Sequence, residues 1–203
     1  MVKRIISEER AKRNIHKVLA LASQDEWNAG RGWYTRARDI ADSLAVQYSI
    51  PLTAACHIIA ALSPNSRWAQ NVKDVRSLCV GISAGLSVES ISVTTYGANK
   101  RKAGEIFLRA TAGLPFADIL SGQKVTAFAH NIEHPESVAI TVDVHAYSVA
   151  HGKRFTKDTL PAITPRTYTR ISDSYTAVGA EVGLSGAEVQ AITWTTWKRI
   201  NKI

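Results

Sequence analysis

The stretch DILSGQKVTAFAHNIEHPESVAITVDVHAYSVAHG, residues 118–152, decides how the chain is read. Leu120-Ser121-Gly122-Gln123 is a tight connection. Val125, Phe128, Ala129 and Ile132 recur after it at helical spacing, so a turn opens an amphipathic helix. Backbone N–H groups at such an opening can face a phosphate. Beyond His134-Pro135-Glu136-Ser137, an apolar run from Val138 to Val142 ends at Asp143, and Val144, Tyr147 and Ser148 predict a further helix that stops near Gly152. Asp143 therefore stands at an N-cap position, where backbone donors and the positive end of the helix dipole stabilise a carboxylate. A carboxylate held in this way suits a reaction that develops positive charge on a sugar.

Two upstream segments extend the pattern. Ala61-Leu62-Ser63-Pro64-Asn65 is followed by Asn71, and Gly97-Ala98-Asn99-Lys100-Arg101-Lys102-Ala103-Gly104-Glu105-Ile106 opens another helix. In this order, with Val142-Asp143-Val144-His145 after a glycine-containing hairpin, the segments resemble the helix-hairpin-helix DNA glycosylases, the endonuclease III superfamily. The resemblance covers roughly residues 55–152, about half the chain. It implies an all-α, two-lobed fold. The middle lobe would span about 52–135, with a degenerate hairpin at 120–124, and the second lobe would combine 1–50 with 136–203.

The resemblance also implies roles. Asp143 takes the place of the family's catalytic aspartate, and Lys124 falls near the lysine that acts as nucleophile in bifunctional members; contact with a phosphate is the competing role for Lys124. The hairpin has one glycine, Gly122 followed by Gln123, where the family normally has two, and both are phosphate-contact candidates. Asn65 stands where the family has a glutamine that fills the space left by an extruded base, with Arg67 close by; a plain N-cap accounts for Asn65 equally well. The expected activity is excision of a damaged or modified base, phage hypermodified pyrimidines included, since small cluster-free relatives resemble phage and anti-phage defence proteins. A catalytically inactive DNA-binding module and an enzyme that alters a base without excising it are the alternatives.

Composition bounds these readings. The 203 residues carry a net charge of +8 and a sequence pI near 9.7, which points to an anionic partner, nucleic acid first and an acidic membrane surface second; the resemblance implies double-stranded DNA. Cys56 and Cys79 are the only cysteines and fall in apolar helical patterns, so they are expected as buried free thiols, and the four-cysteine iron–sulfur cluster of many endonuclease III relatives is excluded. No metal-ligand spacing appears and no cofactor or obligate protein partner is expected. No run of eighteen apolar residues exists, and Met1-Val2-Lys3-Arg4 lacks a signal-peptide pattern, so a soluble cytoplasmic protein, in a bacterial cell or a phage host, is expected.

Along the chain, Ser7 caps a helix whose apolar stripe is Ala11, Ile15, Val18 and Leu19; Arg10, Lys12, Arg13 and Lys17 make its other face basic, either solvated or facing DNA. Gln24 to Gly32 reads as a polar break. Trp27, Trp33 and Tyr34 flank it, as stacking partners for a flipped base or as lids on a core. A helix carrying Ala37, Ala41, Leu44 and Tyr48 follows, then a buried central helix from Pro51 to Leu62 in which His57 reads as a satisfied core histidine. Asn99 reads as a cap ahead of Lys100, Arg101 and Lys102, three cations set against the helix dipole, which suggest a nearby phosphate or simply an exposed turn. His151-Gly152-Lys153-Arg154 adds a basic loop to the DNA-contact candidates, and His145 is a candidate for the base pocket or for helix packing. Thr164-Pro165 opens a helix that stops at Gly183, and Ser185-Gly186-Ala187-Glu188 is a capping box for a last helix with Trp194 and Trp197 as core anchors.

Overall fold

The computed structural model describes residues 5–202; the reading of Met1–Arg4 lies outside them. Among the described residues the chain is all-α, with ten α-helices and a short 3₁₀ turn, Val88–Ser90. It divides into two compact units, one holding the chain up to Tyr34 together with everything from Glu136 onward, the other Thr35–Pro135. The sequence-based division began the middle segment near residue 52.

The first unit contains α1 (Glu8–Leu19), α2 (Gln24–Arg31), α8 (Val144–His151), α9 (Pro165–Val182) and α10 (Gly186–Ile200). Each start is chemically specified. The Ser7 and Thr164 side chains accept from backbone N–H groups of the first turns of α1 and α9, while Ser23 with Glu26 and Ser185 with Glu188 form reciprocal capping boxes. The segment 24–32, expected as a break, is the helix α2. Its polar composition hides a helix held by the Ser23–Glu26 box and by packing on α10. Gly30 makes that packing possible, since a Cβ there would lie 2.6 Å from the Ile192 backbone. Ala11, Ile15, Val18, Ile171, Tyr175, Val178, Val189 and Ile192 fill the core. Val182 is exposed in the last turn of α9.

The second unit is built on α4 (Leu52–Leu62), whose residues are buried on nearly all sides, as its unbroken apolar run requires. It packs against α5 (Trp68–Ser83), α6 (Gly97–Thr111) and α7 (Gln123–Glu133); the unit also holds α3 (Trp33–Tyr48) from Thr35 onward. The carbonyls at the C-terminal end of α4 lack helical partners, and two asparagines supply them: Asn71 Nδ2 donates to Ile59 at 3.1 Å and Asn99 Nδ2 to Ala61 at 3.0 Å. Asn99 is thus inside the first turn of α6 rather than at its cap, which is Tyr96. His57 differs from expectation too: its Nδ1 is buried without a hydrogen-bond partner, and its ring meets Phe116 edge-on. Burial pushes its pKa below the usual histidine range, with Glu133 opposing. Cys56 and Cys79 are free and buried.

Among the described residues no single helix is long and apolar enough to cross a membrane.

Candidate functional site

In the first unit the functional candidates gather around the start of α8. Asp143 is its N-cap: Oδ1 accepts from the backbone N–H of His145 at 2.9 Å and of Ala146 at 2.8 Å. The carboxylate is half-buried, and both bonds fall on the same oxygen, Oδ1. The segment entering Asp143 is clamped. The Tyr168 hydroxyl donates to the Ile140 carbonyl at 2.6 Å and accepts from the Val142 N–H at 3.2 Å. Burial holds the Tyr168 phenol above its usual pKa range, the bond from Val142 opposes that rise, and the charge of Asp143 adds to it.

One position earlier, Thr141 is buried and accepts from the Tyr34 hydroxyl at 3.2 Å, a hydroxyl that also reaches Gln190 at 3.4 Å. Tyr34 is therefore a core residue holding the entry to α8, with its ring and hydroxyl both enclosed. It is not a loop-side platform for a base, since the residues around it are helical and its side chain is spent on Thr141 and Gln190.

An aromatic cluster is reached from Asp143 through His145. The His145 ring meets Trp194 edge-on at 6.2 Å between centroids, and Trp33 meets Trp194 edge-on at 6.3 Å. The Lys198 ammonium stands 4.1 Å from the Trp194 ring centroid. Trp194 and Lys198 were missed in the sequence: Trp194 reads as a core anchor, yet it is half-exposed, and only Trp197 is buried. The signal was available, because Trp194 and Lys198 are four apart in a helix and so share a face. Trp27 is half-buried in α2. At the other end of α8, Gly152 terminates the helix with φ +61°, and Lys153 and Arg154 are exposed just beyond it.

The remaining candidates belong to the second unit. Gly122 is the N-cap of α7 with φ +100°, a conformation L side chains rarely adopt, and exposed Gln123 and half-buried Lys124 occupy its first turn. Lys102 Nζ donates to Ser121 Oγ at 2.7 Å and so ties α6 to this turn. Lys100 is turned inward to the carbonyls of Glu89 at 2.9 Å and Ile91 at 3.0 Å, which explains how a cation is tolerated in the first turn of α6. Arg101 is exposed. Asn65 is exposed in the left-handed region at φ +64° and is not an N-cap, since Arg67 occupies the N-cap of α5, with no side-chain cap bond. Asparagine tolerates that conformation better than most residues.

Compared with known proteins, the chain matches over residues 2–201 the family described as "Family of unknown function (DUF7178)", and it belongs to that family. No curated protein and no solved structure matches it.

Proposed function

We propose that the chain binds DNA and excises a damaged or modified base by hydrolysing its N-glycosidic bond. One observation carries this reading: the half-buried Asp143 has one oxygen fixed by two backbone amides at the start of α8, and His145, two residues on, meets the ring of Trp194. Extrusion of a base costs a few kcal/mol of stacking, which phosphate contacts and ring stacking offset. As the bond from C1′ to the base lengthens, positive charge grows on the sugar, and a fixed carboxylate stabilises it. Water then adds its oxygen to C1′, one water proton passes to Oδ2 of Asp143, and the base leaves with the bonding electron pair. The net charge of +8 supports a polyanionic partner.

The test is an excision panel. Duplexes carrying uracil, oxidised purines, alkylated purines, hydroxymethylated pyrimidines or glucosylated phage DNA are incubated with wild type and Asp143→Asn, and abasic sites are revealed with alkali. Abasic sites from wild type alone, on one substrate, are the expected result. Nicking without alkali would add abasic-site lyase activity to the reading. Silence across the panel with duplex binding intact would overturn excision, and a base that gains mass while still attached would identify a modifying enzyme.

A further inference from the structure

The two basic segments of the first unit are brought together at the far end of α8 from Asp143. Asn14 of α1 donates through Nδ2 to the Ala150 carbonyl at 2.9 Å, and its side chain lies against Gly152, where a Cβ would come within 3.0 Å. Only glycine admits that approach at a φ of +61°. The close seat fixes which flank of α1 adjoins the loop after α8. At about 100° per residue, Arg10 and Lys17 lie about 40° and 60° from Asn14, and Arg13 about 100° from it, farther round the same side; the charge of Arg10 is felt at His151. Arg10 and Lys17 therefore flank the seat of the loop that carries Lys153 and Arg154, Arg13 extends that side of α1 outward, and all five are exposed.

Glu181 and Glu8 are engaged away from this surface. On the opposite flank of α1, Lys12 and His16 both bind Glu181, and Glu8 binds Arg170 at 2.7 Å. That flank is neutralised, while the Asn14 flank keeps most of its charge; Glu9, one turn before Arg13, and Asp158 are the exposed acids of the two segments. The loop is also stiff. Lys153 N–H donates to the Ser148 carbonyl at 3.1 Å and Phe155 N–H to Ser148 Oγ at 3.0 Å, and the Phe155 ring packs on Tyr147 and His151, themselves stacked at 4.0 Å. Little ordering entropy remains to be lost there on binding.

We propose that Arg10, Arg13, Lys17, Lys153 and Arg154 form one surface that grips the phosphate backbone of duplex DNA, independently of base sequence. The inference rests on the DNA-binding half of the reading above and not on hydrolysis at Asp143. Each phosphate neutralised steepens the fall of log affinity with log salt by about 0.9.

The experiment is fluorescence anisotropy on a lesion-free duplex between about 50 and 200 mM salt. It compares wild type, a quadruple variant Arg13→Gln, Lys17→Gln, Lys153→Gln, Arg154→Gln, the two double variants that divide it, and a control pair Lys73→Gln, Arg76→Gln on α5. The quadruple variant is expected to flatten the salt slope by about two or more, each double variant by part of that, and the control by less. An unchanged slope, an equal loss in the control, or preference for single-stranded RNA or anionic vesicles would overturn the proposal. Lesion-free binding keeps the outcome separate from excision: a patch that fails leaves the Asp143 assay untouched, and an inactive Asp143 leaves the patch measurable.

Discussion

Tyr168 closes a two-point bond on the backbone around Thr141, giving its hydroxyl proton to the Ile140 carbonyl at 2.6 Å and taking the Val142 N–H at 3.2 Å. The segment it grips belongs to no helix, and apart from one bond of its own, from the Asp143 N–H to the Thr141 carbonyl at 3.1 Å, its polar groups depend on side chains for satisfaction. Tyr168→Phe removes both bonds and leaves a buried carbonyl and amide wanting. The expected cost is about 1–3 kcal/mol of stability, read by denaturant unfolding. If Asp143 acts on substrate, the same variant lowers kcat with KM little changed, because the clamp sets the carboxylate's position; a lowered kcat/KM that arises wholly from KM would assign Tyr168 to binding instead.

Glu26 couples the N-terminal and C-terminal segments of the first unit through Arg199, whose Nε and Nη2 donate to it at 2.7 and 3.0 Å. Those bonds hold its carboxyl down to about 2, with burial opposing and the Ser23 N–H assisting. A carboxyl whose folded pKa lies below its unfolded value adds stability above the unfolded pKa and loses it as pH falls through the folded one. Wild type should therefore lose thermal stability between about pH 5 and pH 2, and Glu26→Gln should flatten that descent. At neutral pH the substitution should cost about 1–2 kcal/mol, modest because Arg199 is itself exposed to water.

Both thiols should be silent in the folded protein. Burial pushes Cys56 and Cys79 up to about 12, so neither presents a thiolate near neutrality. An aromatic disulfide reagent should label neither in native buffer and both in denaturant. Fast native labelling of either one would show that α4 or α5 opens locally on the timescale of the assay.

How much of this was legible depends on which force shaped each part. Helices driven by apolar periodicity or by caps could be read directly: Pro51 to Leu62, Ser7, Thr164-Pro165, Gly183, and the Ser185–Glu188 box all carry their signal within a few residues. Asp143 was legible as a cap for the same reason. The helix at 24–31 was missed although Ser23 and Glu26 carry the same box signal, because its polar composition resembles a loop and its other ties, to Arg199 and Ile192, lie more than 160 positions away. Asn71 and Asn99 were read for their place in a motif, whereas their side chains serve the open end of α4. Lys100 shows the same limit in a charge: its partners are backbone carbonyls, which have no signature in sequence. The cluster of Trp33, His145 and Trp194 joins three segments, so only folding makes it visible.

The seat of α10 on α2 makes a further prediction. Gly30 faces Ile192, and the added methyl of Gly30→Ala would meet backbone as well as side chain. Helix propensity favours alanine by about 1 kcal/mol, yet overpacking costs about 1–3 kcal/mol, and the contact with main chain leaves little room to yield. Net destabilisation is expected by thermal denaturation. Because Trp194 is two residues beyond Ile192, its fluorescence should shift as well. A stabilised variant would mean that α10 slides freely over α2.

Asp143 can be tested as a cap and as a catalyst separately. Asparagine caps helices about as well as aspartate, so Asp143→Asn should keep stability within about 0.5 kcal/mol of wild type, whereas Asp143→Ala should lose about 1 kcal/mol. An aspartate present only to cap would yield the same ranking in function, with Asn close to wild type and Ala impaired. A carboxylate that stabilises charge on the sugar yields a different one: both variants inactive, and Asn the more stable of the two. Stability by denaturant unfolding and abasic-site formation on the substrate found in the panel, measured on the same three proteins, decide between the rankings. Retained excision in Asp143→Asn would remove Asp143 from the chemistry, since the amide keeps the shape of the carboxylate without its charge.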